Sequence, residues 1–427
     1  MSMLATTQVQ EAAAPQPVSL VHDAPSVQPA DFLYDAPSMS PVCVRRVEAM
    51  EPQEIADRLA GRLRIAVVHG GKATDDGAVI HRTSNPRSAK TYEAVANDIA
   101  SALKNLGFEH VELFPEDMRL GERLRKADID FAWLNSGGTQ GYSPVCHAAS
   151  MLEMFGVPYL GHNPLNSALL DNKHAFKYVA AGNQIPTAPF MVWHGERGRL
   201  APRANSMFRK IFADYAGPFV VKPVSGRASI NVEIADDLDV LPEVVHEIYQ
   251  KSANFIIIEK FLGGSEYCVA VCGSTIAQNR WLSRRNAAFC FSFVERTLGS
   301  NERIFTSMDV RPITTDRVRL LDAENEADLV TRLATLGQAV HREFGLESIV
   351  RLDVRADENG DLFVLEANPK PDLKRPANGQ LSIVAAGLES EGMDYEDLIL
   401  SLVADRLSFL VQRRAQLVPH IVEKLTA

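Results

Sequence analysis

From residue 62 onward, short apolar runs alternate with one-sided helical patterns. Residues 63–68 are an apolar run of the length of a buried strand, closed by the turn His69-Gly70-Gly71. Residues 88–106 carry a helical pattern ending at Gly107, and 111–114 and 131–134 are further strand-like runs, the second leading into Asn135-Ser136-Gly137-Gly138. Strand, helix, strand in this order predicts an open parallel α/β sheet with glycine turns at the carboxyl ends of its strands, where such sheets bind ligands. A helix and a short strand continue the pattern over 145–160.

The later chain predicts mixed α+β structure. Leu170-Asp171-Asn172-Lys173 opens a capped helix that ends at Gly182. Residues 219–223 form an apolar strand that carries Lys222 to its end, and a small-residue loop follows at 224–230. Such a loop lets backbone N–H groups approach phosphate oxygens closely. Residues 254–261 read as a buried strand ending in Glu259-Lys260. Strand-like runs at 281–285 and 289–294 precede a polar, mobile loop over 295–305, and a one-faced helix spans 327–344 up to Gly345. Residues 395–415 form an amphipathic helix.

Between these helices lie two short strands, 351–356 and 361–367, separated by Asn359-Gly360, a dipeptide suited to the positive φ angles of a hairpin turn. Alternation puts Arg351 and Asp353 on one face and Glu366 and Asn368 on one face of the partner. If these faces coincide, three oxygen ligands and a guanidinium converge, and such oxygens suit Mg²⁺. A surface hairpin with solvated charges has the same spacing.

Composition narrows the function. A net charge of −10 over 427 residues argues against a broad nucleic-acid surface. No apolar run is long enough to span a membrane, and no basic region with an apolar core opens the chain. The five scattered cysteines read as buried thiols of a reducing cytoplasm rather than a zinc site. Residues 1–60, rich in Ala, Pro, Ser and Gln and carrying Asp-Ala-Pro-Ser at 23–26 and 35–38, read as a flexible arm.

Arg351-Leu352-Asp353 followed by Leu365-Glu366-Ala367-Asn368-Pro369 resembles the metal-binding hairpin of the ATP-grasp ligases, most closely their D-alanyl-D-alanine ligase branch. The resemblance runs over roughly residues 62 to 408 and its motifs keep the family's order. It implies three α/β-type domains: an open parallel substrate domain over 61–163, a central ATP-grasp part over 164–272, and a C-terminal part over 273–427. It further implies Mg²⁺, or Mn²⁺, on Asp353, Glu366 and Asn368, and Arg351 on the tetrahedral oxyanion. For ATP it implies Lys173 and Lys222 on the phosphates, the loop residues Ser225, Gly226 and Ser229 over them, Glu259 with the backbone of Lys260 to Leu262 on adenine, and Glu266 on the ribose.

The activity implied is ADP-forming ligation of a carboxylate to an amine through an acyl phosphate. Its partners would be small amino-acid, amine or carboxylate substrates, with no nucleic acid or membrane and with a homodimer left open. Two loops depart from the family. Residues 72–87 replace a segment that holds an acidic substrate-binding residue, with Arg82, Arg87 and Lys90 nearby, and Asp372 with Lys374-Arg375 stands where the family has a small loop and a serine. These departures leave room for a ligase of specialised metabolism with other substrates, and for an ATP-binding regulator without the reaction. Arg296 and Arg303 both qualify as a phosphate contact from the polar loop.

Overall fold

The computed structural model describes residues 41–72, 91–139, 144–226, 230–299, 302–304, 317–376 and 382–427. Pro41–Glu48 (α1) and Pro52–Ala60 (α2) precede the first strand. Both fall in the stretch expected to be a flexible arm. Pro52 sits in the first turn of α2, and Ile55, Ala56 and Leu59 recur at helical spacing and are buried, so this end of the stretch has an apolar stripe to dock. Residues 1–40 lie outside the described set.

In the N-terminal sheet, Arg64–Gly70 (β1) lies between His110–Glu116 (β2) and Phe131–Asn135 (β3), with Tyr159–Leu160 (β4) beyond β3, all parallel. Glu93–Asn105 (α3), Leu120–Lys126 (α4) and His147–Phe155 (α5) lie between these strands in sequence. The helix expected from residue 88 begins at Glu93, because Tyr92 takes a left-handed φ of 56° and its carbonyl accepts from Asn135 Nδ2 at 3.0 Å. Residues 73–90 lie outside the described set. Pro164–Asp171 (α6) is a separate helix, and the capped helix expected up to Gly182 follows it as Lys173–Gly182 (α7), where Asn172 is extended and caps it by accepting from the Ala175 N–H.

The central sheet is antiparallel, in the order β5-β8-β6-β7, from Phe190–Trp193 (β5), Phe219–Pro223 (β6), Glu233–Ala235 (β7) and Ile256–Lys260 (β8). Ser206–Phe212 (α8) and Leu241–Ser252 (α9) close its apolar face: Phe208, Phe212, Val245 and Ile248 share one core with Phe219, Val221, Ile256 and Ile258.

Glu266–Cys272 (β9) is the middle strand of the third sheet, and Thr275–Gln278 (β10) and Trp281–Arg284 (β11) form a separate hairpin. Phe289–Arg296 (β12) and Val318–Leu320 (β13) lie on one side of β9, and Val350–Ala356 (β14) and Leu362–Asn368 (β15) on the other, with all neighbours antiparallel. Ala327–Glu343 (α10) packs Leu333 and Val340 into a core with Val271 and Leu352. Tyr395–Arg413 (α11) is buried along most of its length, and a final helix, Pro419–Thr426 (α12), was not expected from the sequence.

Two local expectations change. The strand predicted to stop at Val294 continues through Glu295 and Arg296, because both stay in register with Tyr267 and Glu266 on β9. The β14–β15 turn spans residues 357–361 rather than Asn359-Gly360 alone. Asp357 organises it by accepting at Oδ1 from the Asn359 and Asp361 N–H groups, and only Gly360 takes a positive φ, 81°.

Candidate active site

The register of β14 on β15 decides whether the four side chains of the hairpin meet. Arg351 lies opposite Asn368, and Asp353 opposite Glu366. Opposed residues of an antiparallel pair project to the same side. Pairing then steps to Val354 opposite Val364, leaving Leu365 as a bulge. Arg351, Asp353, Glu366 and Asn368 all line one cavity of about 550 Å³.

The carboxylates on this wall are charge-balanced. Arg351 holds Asp353 through both ends, Nε to Oδ1 at 2.8 Å and an Nη to Oδ2 at 3.0 Å. Arg296 reaches Glu266 at 2.6 Å and Asp353 at 3.4 Å. Glu266 itself lies in register between Arg296 on β12 and Arg355 on β14. Cys268, opposite Asp353 on β9, donates its S–H to Oδ1 at 3.5 Å. Burial would raise the Asp353 carboxyl, but Arg296 and Arg351 outweigh it and hold the pKa at about 2.

Lys173, at the start of α7, ties three elements together. Its Nζ lies 3.1 Å from Glu366 Oε2 and donates to the Gly226 carbonyl at 3.1 Å, while its backbone N–H donates to Val224 at 2.9 Å. Gly226 is on the cavity wall, with φ 147°. Ser225, next to it, is buried, and its hydroxyl accepts from Asn254 Nδ2 at 2.8 Å, so what it offers the cavity side of the loop is backbone rather than hydroxyl. Ser229 lies outside the described residues.

Further along the wall, Lys222 at the end of β6 meets Glu259 Oε2 at 2.7 Å, and Lys177 on α7 meets Oε1 at 3.0 Å. Burial would raise the Glu259 carboxyl; the two ammonium groups outweigh it and bring its pKa to about 2. Burial pulls Lys177 down, whereas for Lys222 the neighbouring Glu259 and Glu366 outweigh burial and raise it. Lys260, Leu262 and Glu266 complete this side of the lining. Lys177 was missed in the sequence, although it stands four residues after Lys173 on the same helix face.

The structure separates the two loop arginines. Arg296 is on the cavity wall, whereas Arg303 pairs with Asp236 and lies 5.0 Å over the Phe261 ring. Tyr92, Lys370, Asp372 and Lys374 also line the cavity, with the Lys370 ammonium 3.4 Å from the centre of the Tyr92 ring. Arg375 is engaged elsewhere: it pairs with Glu396 at 2.6 and 3.1 Å and stacks on Tyr395. Arg82, Arg87 and Lys90 lie outside the described residues.

Asp353, Glu366 and Asn368 offer hard oxygen donors of the kind a divalent cation takes beside phosphate and water. Among the described residues no group of three or more His, Cys, Asp or Glu side chains is placed to hold a metal ion, so such a site needs the Asn368 carboxamide oxygen.

Residues 179–404, more than half of the chain, match the family described as the D-ala D-ala ligase C-terminus. An uncharacterized protein of Sinorhizobium fredii is 28% identical over 337 residues, covering 76% of this chain and 93% of that protein. The D-alanine–D-alanine ligase of Geotalea uraniireducens is 24% identical over 352 residues, covering 80% of this chain and 94% of that enzyme. The crystal structure of the D-alanine–D-alanine ligase from Bacillus anthracis complexed with ATP superposes with a TM-score of 0.56 at 20% identity, over 83% of this chain and 99% of that one, a likeness of fold. Among the described residues no helix is long and apolar enough to cross a membrane. By the match over its central and C-terminal parts, the chain belongs to the family of the D-ala D-ala ligase C-terminus and is an ATP-dependent, ADP-forming carbon–nitrogen ligase on the ATP-grasp fold.

Proposed function

We propose that this ligase joins an amino-acid carboxylate to an amine through an acyl phosphate, with ATP held in the 550 Å³ cavity. The observation that carries the reading is the pairing of Arg351 with Asn368 and of Asp353 with Glu366 on a wall shared with Lys173 and Lys222. In this reading Glu259 and the backbone of Lys260 to Leu262 meet the adenine, and Glu266 meets the ribose. Lys173, Lys222, Gly226 and Arg296 meet the phosphates. Asp353, Glu366 and Asn368 hold Mg²⁺ or Mn²⁺, which would neutralise charge on the phosphate oxygens.

A carboxylate oxygen of the first substrate attacks the γ-phosphorus and ADP leaves. The amine of the second substrate then attacks the acyl carbon, phosphate leaves, and the nitrogen loses a proton. Arg351 faces the oxyanion that develops in the second step. The protein contributes position and charge, and no side chain becomes a nucleophile.

The choice of substrates turns on the wall that bears Asp372 and Lys374. A D-alanine pair is the family's reaction, but Asp372 and Lys374 on the wall favour a second reading, a ligase for other amino acids or amines. The test incubates the enzyme with ATP, Mg²⁺ and pairs of amino acids and amines, follows ADP release, and identifies the product by mass spectrometry. Release that depends on a pair, and a product bearing a new amide, support the reading. A wild-type enzyme that binds ATP tightly yet turns over no pair contradicts it in favour of a nucleotide-binding regulator.

A further inference from the structure

Behind the cavity wall, two lysines share one carboxylate. Lys177, Lys222 and Glu259 are 0%, 7% and 2% exposed, and only Lys222 and Glu259 border the cavity. Lys222 takes one oxygen of Glu259 at 2.7 Å and Lys177 the other at 3.0 Å, while Lys177 also donates to Thr187 Oγ1 at 2.6 Å. Thr187 in turn donates to the Val364 carbonyl on β15 at 3.0 Å. One ammonium would already neutralise Glu259. Placing a second in a fully buried position costs desolvation, and a structural pair alone does not require it.

We infer that Lys177 is a positioning residue which neutralises Glu259 from behind and so leaves the charge of Lys222 available to a nucleotide phosphate. The inference rests on the proposed contact of Lys222 with phosphate. A lone Lys222–Glu259 pair is closed and electrically neutral, and an incoming phosphate would compete with Glu259 for the same ammonium. With Lys177 on the other oxygen the three groups sum to one positive charge, and of the two cations only Lys222 reaches the cavity. Burial pushes Lys177 toward its neutral form, and Glu259, the carboxylate it pairs with, is the main group that pulls it back, with Glu366 adding to it. The helix makes the arrangement economical: Lys173 and Lys177 lie one turn apart on α7 and deliver cations to Glu366 and Glu259 respectively.

The test compares binding of ATP and of adenosine, by calorimetry on the full chain, in the wild type and in Lys177→Gln, which keeps a hydrogen-bond donor but removes the charge. The expected result is an ATP affinity about tenfold weaker, with adenosine changed less than about twofold. Lys177→Met is a second neutral variant and should give the same split. Equal losses for ATP and adenosine, or no loss for either, overturn the role of Lys177 and leave the Lys222 reading intact. A wild type that binds ATP no more tightly than adenosine overturns both. Should neither variant fold, Glu259→Gln tests the same balance from the other side: ATP affinity relative to adenosine holds or rises, and a tenfold fall overturns the inference.

Discussion

Asp353 and Glu366 stand directly opposite each other on adjacent strands, yet each is neutralised by a cation of different origin. Asp353 is gripped by Arg351 from its own strand, and Glu366 by Lys173 from the start of α7. Two carboxylates so close repel unless cations intervene. The separate partners let either acid be removed without stripping the other.

Removing Glu366 should therefore abolish turnover while sparing the fold. Its side chain is a quarter exposed and packs little of the core. Glu366→Ala should show no substrate-dependent ADP release and an unfolding free energy within about 1 kcal/mol of wild type. Release at the wild-type rate would remove Glu366 from the proposed metal site.

Arg296 and Arg303 should behave oppositely. Arg296 is buried between Glu266 and Asp353, so Arg296→Met leaves two buried carboxylates short of a partner, and should cost about 3–5 kcal/mol in urea unfolding. Arg303 pairs with Asp236 at the exposed surface, and Arg303→Ala should cost less than about 1 kcal/mol. Similar costs for both would contradict the burial assigned to Arg296.

His162 should make the fold acid-sensitive. It is buried, its Nε2 lies 3.2 Å from the Ile349 carbonyl, and its Nδ1 has no hydrogen-bond partner among the described residues. Burial lowers its pKa from 6.5 to about 4. The unfolded chain takes up a proton near pH 6.5 that the folded chain refuses until about 4, so stability is full above 6.5 and falls as pH drops through that window. The full effect is about 3 kcal/mol. Urea midpoints at pH 7 and pH 5 should differ less in His162→Gln than in wild type. Glu259 has its pKa lowered from 4.5 to about 2, so the stability it contributes is complete above pH 4.5 and is lost between there and about 2, a separate, more acidic window.

Gly337 permits the close packing of α10 on the sheet. A β-carbon there would lie 2.8 Å from Cys290 Sγ and 2.9 Å from Val271 Cγ2. Although alanine favours helices, Gly337→Ala should destabilise by about 1–3 kcal/mol through overpacking. A stability gain in the urea midpoint would mean that the sheet yields more easily than its packing indicates.

Several site residues were legible because they depend on local geometry. Alternation alone puts Arg351 with Asp353 and Glu366 with Asn368, and the apolar run before Glu259-Lys260 marks a strand end. Others escaped for a physical reason. The bond of the Ser225 hydroxyl to Asn254 joins residues twenty-nine apart and has no local signature. Arg296 belongs to a strand rather than a loop because its partner Glu266 lies thirty residues earlier. The helix Pro52–Ala60 was hidden by the proline- and alanine-rich composition around it.

By itself the sequence determined the open parallel sheet of the N-terminal part, the hairpin late in the chain, and which residue types end the strands that face the cavity. These follow from backbone periodicity and turn chemistry, which operate over a few residues. Only the tertiary structure decided that the two faces of the hairpin coincide, that Lys177 stands behind Glu259, and that Lys374 rather than Arg375 reaches the cavity. Register and ion pairing join groups far apart along the chain, and the free energy that selects among them comes from burial and charge balance in space, which no local pattern encodes.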